Sequence, residues 1–340
     1  MKKKLLPDFD LDFSDEDLDG IAEPFDPLHF SGNKFPHIGG FRKPEAPIIL
    51  AHGIARPDYV IDSLSRTLNL SIYDISFLSD RLHYFRGIAS FLRKHGFEVY
   101  HTSVSFAAGV EKRARDLKKN ILAILEKTSH TRVHIIAHSM GGLDARHMIV
   151  DEGMADKVIS LSTIGTPHLG TSAADFIIEH GADKVIGRLK RLIDLEGIRS
   201  CTTRACREFN ERARNIEAKN SIFYQTWSSQ QTREKTFLPF QITWKIIAGH
   251  EGDNDGLVPV SSQKWHGSLH ADDGTFKVIP QHAFPFPADH MDQIGWWHLN
   301  EIHKAGWWNM KALRRKNKHE LMIKRIYLQI ARSVADKTHA

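Results

Sequence analysis

Short apolar runs that end in small residues alternate along the chain with stretches whose apolar positions recur every three or four residues. PIILAHG (47–53) is a run of the first kind and suits a buried strand. HYFRGIASFLRKHG carries Phe85, Ile88, Phe91 and Leu92 at helical spacing, with Gly96 as a stop. FEVYHTSV then reads as a strand, 111–127 as a helix, RVHIIAHS as a strand, GGLDARHMIVDEG as a helix and VISLSTIG as a strand. This alternation predicts an α/β protein with a mostly parallel central sheet flanked by helices. It breaks between Thr166 and about Thr236, where amphipathic stretches such as 183–194 and 203–213 predict a helical cap or lid inserted at about 170–236. ITWKIIAG (242–249) is expected to resume the sheet, TFKVIP (275–280) to give its last strand, and 319–337 to form a helix packed on it.

Residues 1–44 differ from this text. They are acidic and Pro-bearing, and they predict an irregular extension ahead of a domain spanning 45–340. Within them, Asp15, Asp17, Asp19, Gly20, Glu23 and Asp26 fall at positions 1, 3, 5, 6, 9 and 12 of a calcium loop. The last ligand is Asp rather than Glu and no flanking helix pair is evident, so an acidic tail is the competing reading. The start, MKKKLLPDFD, resembles a secretory signal, but its apolar stretch is only Leu5-Leu6 before Pro7. No apolar run approaches the ~20 residues of a membrane span, which predicts a cytoplasmic or otherwise soluble protein. A net charge of +5 on 340 residues does not argue for nucleic acid, and no recognition motif stands out. Most of the basic excess sits late, from Lys311 to Arg325, and reads as a solvated helix face or a lipid-surface patch. Cys201 and Cys206 are too few for a disulfide framework and read as a reduced pair.

The chemistry concentrates in RVHIIAHSMGGLDAR (132–146). A strand that turns straight into a helix through Ser139 strains that residue's backbone, and the positions two before and two after it must be small. They are Ala137 and Gly141, which gives the G-x-S-x-G nucleophile elbow with Ala in first place. An acyl-transfer site also needs backbone N–H donors for a tetrahedral oxyanion. Met140 follows the nucleophile and supplies one; AHGIARP, after the first strand, supplies the other from Ile54, with Gly53 allowing close approach. For a serine on such an elbow the acid and then the histidine follow in chain order. GHEGDNDGLVPVSS offers Asp255, with Asp253 as fallback, and ADHMDQIGWW offers His290, with His282 as its rival.

PIILAHG, YFRGIASFLRKHGFEVYHTSVS, VEKRARDL, VHIIAHSMGGLDARHMI, STIGTPHLGTSAADF, NDGLVPVSS and DHMDQIGW together resemble the bacterial triacylglycerol lipases of the α/β-hydrolase fold and related fungal mitochondrial lipases. The resemblance runs from about Pro47 to Trp297. It implies Ser139 as nucleophile, Asp255 as acid, His290 as base, and Ile54 and Met140 as the oxyanion hole. It also aligns Thr166–Gly170 with a Thr-Pro-His-x-Gly segment in which His168 is structural. Some members hold a structural calcium near the histidine. Asp292 matches one of its ligands, but Trp296 stands where a side-chain amide is expected.

The expected reaction is hydrolysis of a carboxylic, fatty-acyl ester through an acyl-serine, with no metal or organic cofactor required for the chemistry. A phospholipase, thioesterase or acyltransferase would use the same triad, and a non-catalytic lipid- or partner-binding module is the rival from another class. Phe176, Ile177, Ile178, Ile186, Leu189, Leu192 and Ile193 in the insertion are candidates for an acyl slot. Trp296, Trp297, Trp307 and Trp308 are candidates for contact with a lipid interface or for core packing.

Overall fold

A computed structural model describes residues 46–54, 84–105, 108–181, 195–296, 310–335 and 337, with side chains of the last helix described from Asn317 onward. The acidic extension 1–44, with its calcium-loop pattern, lies outside the described residues.

Eight strands are described: β1 (Ile48–Ala51), β2 (Val99–His101), β3 (Val133–His138), β4 (Val158–Ile164), β5 (Phe223–Ser228), β6 (Ser268–His270), β7 (Phe276–Val278) and β8 (Gln281–Ala283). Six of them form one parallel sheet in the order β2-β1-β3-β4-β5-β8, and β6-β7 is a separate antiparallel hairpin. The crossovers carry α1 (Ile88–Lys94), α2 (Val110–Thr128) and α3 (Met140–Val150). The insertion carries α4 (Ser172–His180), α5 (Leu195–Ser200) and α6 (Thr203–Lys219). Then come α7 (Gln241–His250), α8 (Val260–Lys264) and the long C-terminal α9 (Met310–Ala335).

The sheet is covered on both faces, as a parallel sheet requires. Successive strand residues point to opposite sides, and the core divides along that alternation. Ile49, Ala51, Ile135, Ala137 and Leu161 pack with Leu117 and Ile121 of α2 and Met148 of α3. Ile48, Leu50, Ile136 and Ile164 pack with Ile88 and Leu92 of α1 and with Ile323, Ile326, Tyr327 and Ile330 of α9. This is why β1 and β3 are unbroken apolar runs, buried at every position. Each fully buried Ile or Leu contributes roughly 1.5–3 kcal/mol.

Three expectations need correction. ITWKIIAG is a helix: Phe240, Thr243 and Ile247 turn inward at helical spacing while Ile242 is exposed. The strand that resumes the sheet is β5, which lies inside the segment read as cap, so an insertion at 170–236 crosses a central strand. TFKVIP supplies β7 of the hairpin, with Phe276 and Val278 exposed, and the last strand of the sheet is β8.

Candidate active site

Ser139 stands between β3 and α3 with φ 57° and ψ −136°, a left-handed backbone that an L-residue adopts at a cost of about 1–3 kcal/mol. Its surroundings hold it there. Ser139 N–H donates to Ile164 O at 2.9 Å, and its carbonyl accepts from the Thr166 hydroxyl at 2.8 Å. The small neighbours are required by space: a Cβ on Gly141 would lie 2.5 Å from Ala51 O, and one on Gly142 would run into the Thr166 side chain. The helix therefore starts hard against the end of β1, and the N-terminus of α3 faces the serine oxygen.

The structure brings Ser139, His290 and Asp255 together. Ser139 Oγ lies 2.8 Å from His290 Nε2, and His290 Nδ1 lies 2.8 Å from Asp255 Oδ2. An ionised carboxylate only accepts, so Nδ1 carries the proton and Nε2 is left to accept from the serine hydroxyl. The carboxylate is locked by further donors: Leu257 N–H and Val258 N–H reach Oδ1 at 3.0 and 2.8 Å. His290 N–H also donates to Asp255 O at 2.9 Å, which fixes the two loops to each other. His290 and Asp255 are both buried.

Gly53 borders the same serine. A Cβ there would fall 2.7 Å from Ser139 Cβ, so only glycine lets the loop after β1 come this close. The loop is held by the buried Arg113, whose Nη2 donates to His52 O and Gly53 O, both at 3.1 Å, and to Asp144 Oδ2 at 2.7 Å. In a trans peptide the C=O and the following N–H point opposite ways. Drawing Gly53 C=O toward Arg113 thus turns Ile54 N–H to the other side. The side chains of Ile54 and Met140 meet at Gly197 of α5, where an added Cβ would lie 3.3 Å from each.

The rival residues fall elsewhere. Asp253 is exposed. His282 stacks on Trp227 from β8, with ring centroids 4.6 Å apart. His168 lies flat on Trp265 at 4.6 Å and bonds Thr163 Oγ1 at 2.8 Å. Burial, followed by the nearby Arg146 charge, holds His168 well below the usual histidine range. Residues that the sequence reading assigned no role also gather here: Tyr84, Arg113, His138, Asp144, Ser229 and Gln293. Only proximity to motifs marked them, Arg113 within VEKRARDL and Gln293 three positions after His290.

Residues 108–191 match the family model described as a PGAP1-like alpha/beta domain. The chain is 29% identical over 284 residues to triacylglycerol lipase 2 of Saccharomyces cerevisiae, covering 75% of this chain and 82% of the relative. It is 25% identical over 255 residues to a triacylglycerol lipase of Vibrio cholerae, covering 66% and 75%. A shorter match, 34% over 134 residues, links it to a triacylglycerol lipase of Pseudarthrobacter phenanthrenivorans, with 38% of this chain and 36% of that one covered. The chain is a homologue of the triacylglycerol lipases. Among solved structures, a metagenomic carboxyl esterase superposes with a TM-score of 0.58 at 14% identity, covering 88% of this chain and 79% of that one. That likeness gives the α/β-hydrolase fold.

In this lipase homologue an apolar cluster adjoins the serine. Met140, Leu143, Ala174, Ile177, Ile198 and Phe240 are buried in it, with Ile54, Phe176, Leu257 and Met291 partly buried against them. Ile186, Leu189, Leu192 and Ile193 lie outside the described residues, as do Trp297, Trp307 and Trp308. Trp296 packs on the body: its Nε1–H donates to Tyr84 O at 3.0 Å and Arg86 lies over its ring. Asp292 Oδ2 accepts from Asp289 N–H at 3.1 Å, and its other oxygen faces His319 Nε2 at 3.6 Å. Among the described residues no cluster of three or more His, Cys, Asp or Glu side chains is arranged to hold a metal.

Proposed function

We propose that the chain is a serine hydrolase of carboxylic, fatty-acyl esters, working as a lipase or carboxylesterase through an acyl-serine, with Ser139 as nucleophile. The observation that carries this reading is the continuous path of 2.8 Å contacts from Ser139 Oγ through His290 to the buried Asp255. His290 takes the Ser139 proton as the oxygen attacks the ester carbonyl, then returns it to the leaving alcohol. Asp255 keeps the imidazole in the tautomer that can accept and steadies the imidazolium. Ile54 and Met140 N–H groups hold the oxyanion. Water activated by His290 then releases the fatty acid.

The apolar cluster of Ile54, Met140, Phe176, Ile177 and Leu257 supports an acyl chain as the bound part of the substrate. Ile178, Leu195, Leu238 and Ile242 carry exposed apolar surface on α4, α5 and the start of α7 with the turn before it, which supports contact with a lipid interface. The names of the relatives favour triacylglycerol as the natural ester.

The test is hydrolysis of p-nitrophenyl esters of graded chain length by wild type and Ser139→Ala. The expected result is turnover that rises with chain length and falls by at least about 1,000-fold in the variant. Activity retained in the variant would remove Ser139 from its role. A preference for short chains would make the protein an esterase rather than a lipase.

A further inference from the structure

Asp255 Oδ2 receives a second donor besides His290. Gln293 Nε2 lies 2.7 Å from it, and the same amide nitrogen lies 2.8 Å from Ser229 Oγ. Because the carboxylate can only accept, the amide orientation is fixed with its NH2 toward Asp255 and its Oε1 facing away. Oε1 sits 2.7 Å from His138 Nε2, so His138 must carry its proton on that nitrogen. His138 Nδ1, 2.7 Å from the Tyr84 oxygen, is then an acceptor and the Tyr84 hydroxyl its donor. The Tyr84 oxygen lies close against Gly53, where an added Cβ would fall 2.8 Å from it.

We propose that Tyr84, His138 and Gln293 form one directional hydrogen-bond bridge that sets the position of the acid Asp255 and of the Gly53–Ile54 loop together. The inference rests on the hydrolase reading and deepens it. None of the three touches the reacting atoms; they are positioning residues.

Three observations support the bridge. Its members are all buried, so water does not substitute for a missing partner. Gln293 has no slack: Gly165, at φ 56°, leaves the space its side chain fills, and a Cβ there would lie 2.1 Å from Gln293 Oε1. Gln293 is also held through its backbone, N–H to Asp289 O at 3.1 Å and C=O from the Tyr327 hydroxyl at 3.1 Å. Burial, reinforced by the His290 ring 4.5 Å away, holds His138 far below the usual histidine range, and burial keeps the Tyr84 phenol protonated. Every donor in the path therefore has one acceptor, and the polarity does not reverse at ordinary pH.

The experiment uses the full chain as wild type, Gln293→Leu, Gln293→Glu, Tyr84→Phe and the double variant Gln293→Leu/Tyr84→Phe. Melting temperature, kcat and KM for p-nitrophenyl butyrate, and the rate of labelling by a fluorophosphonate are measured for each. Gln293→Leu is expected to lower kcat about 10–100-fold with KM changed less than about twofold, because geometry at the reacting centre is lost while the acyl site is kept. Tyr84→Phe is expected to cost about 10-fold, and the double variant clearly less than the product of the two, since one bridge is cut twice. Gln293→Glu keeps the shape. Its protonated carboxyl reproduces the donor to Asp255, and its ionised form repels it. The ratio of its kcat/KM to that of wild type is expected to fall at least about 10-fold from pH 6 to pH 9. A ratio flat with pH, or losses in the double variant that simply multiply, would overturn the bridge. Should Gln293→Leu fail to fold, the pH ratio of Gln293→Glu decides. If wild type neither turns over esters nor labels at Ser139, the hydrolase reading falls and the bridge with it. Wild-type labelling with unaffected variants removes the bridge alone.

Discussion

Arg113→Met tests how the proposed oxyanion loop is held. The guanidinium is fully buried and Asp144 is 1% exposed. Arg113 Nε reaches both Asp144 oxygens at 3.1 and 3.0 Å, Nη1 donates to Ser105 O at 3.1 Å, and Nη2 serves Asp144, His52 O and Gly53 O. Removing one partner of a buried pair strands the other charge and costs about 3–5 kcal/mol. For a domain of this size that lowers Tm by roughly 6–20 °C. Methionine fills the volume but takes the guanidinium away from both carbonyls, leaving Gly53 O only the His52 Nδ1 contact at 2.9 Å, so Ile54 N–H is aimed less firmly. Loss of one oxyanion donor is worth about 100–1,000-fold in kcat. The double variant Arg113→Met/Asp144→Leu separates the two effects. It removes the stranded carboxylate and should recover about 2 kcal/mol or more of stability, while kcat stays low because the guanidinium's hold on the loop is still missing. Thermal unfolding and p-nitrophenyl ester kinetics on the three proteins supply the data. If the double variant recovers kcat along with Tm, Arg113 acts through stability alone and the orienting argument is wrong.

Two further outcomes are expected. Gly53→Ala puts a methyl 2.7 Å from Ser139 Cβ and 2.8 Å from the Tyr84 oxygen; kcat should fall about 100-fold with a much smaller change in Tm than in Arg113→Met, and near-normal turnover would contradict the close approach. His134 is fully buried in β3, and burial brings it from the usual 6.5 to about 4. The unfolded chain therefore takes up the proton first, so this contribution is complete above about pH 6.5 and is lost as pH falls toward 4. Urea unfolding should show about 2–3 kcal/mol more destabilisation between pH 7 and 4.5 in wild type than in His134→Gln. Equal slopes for the two proteins would rule it out.

How much of this was legible in the sequence depended on whether burial left a periodic mark. β1 and β3 are buried on both faces and so read as unbroken apolar runs. β5 is equally central, yet Gln225, Thr226 and Ser228 are polar. They are satisfied inside the protein, by Ser162 Oγ, Lys264 O and His282 O, so no hydrophobic pattern betrayed the strand. ITWKIIAG misled in the opposite sense, because its β-branched run mimics a strand while one helical face does the packing. The elbow and the loop after β1 were readable because the close approach of the chain there demands small residues. The Asp255 loop was found despite the wrong strand before it, since its turn residues were recognisable in themselves. Tyr84, Arg113 and Gln293 act through distant partners, and separations of 54, 60 and 38 residues leave no local signal.

β8 is the edge of the sheet and consists of three residues, paired with β5 through Thr226, Trp227 and Ser228. His290, the proposed base, follows it by seven positions, on a loop whose placement starts from that strand. A strand this short frays more readily than the two-sided core beside it. Heating should therefore silence the protein while most of its sheet is intact, and brief warming followed by cooling should restore it. Inactivation temperature and unfolding temperature are then separate properties of this chain, and lengthening the hold on one edge would raise the first without moving the second.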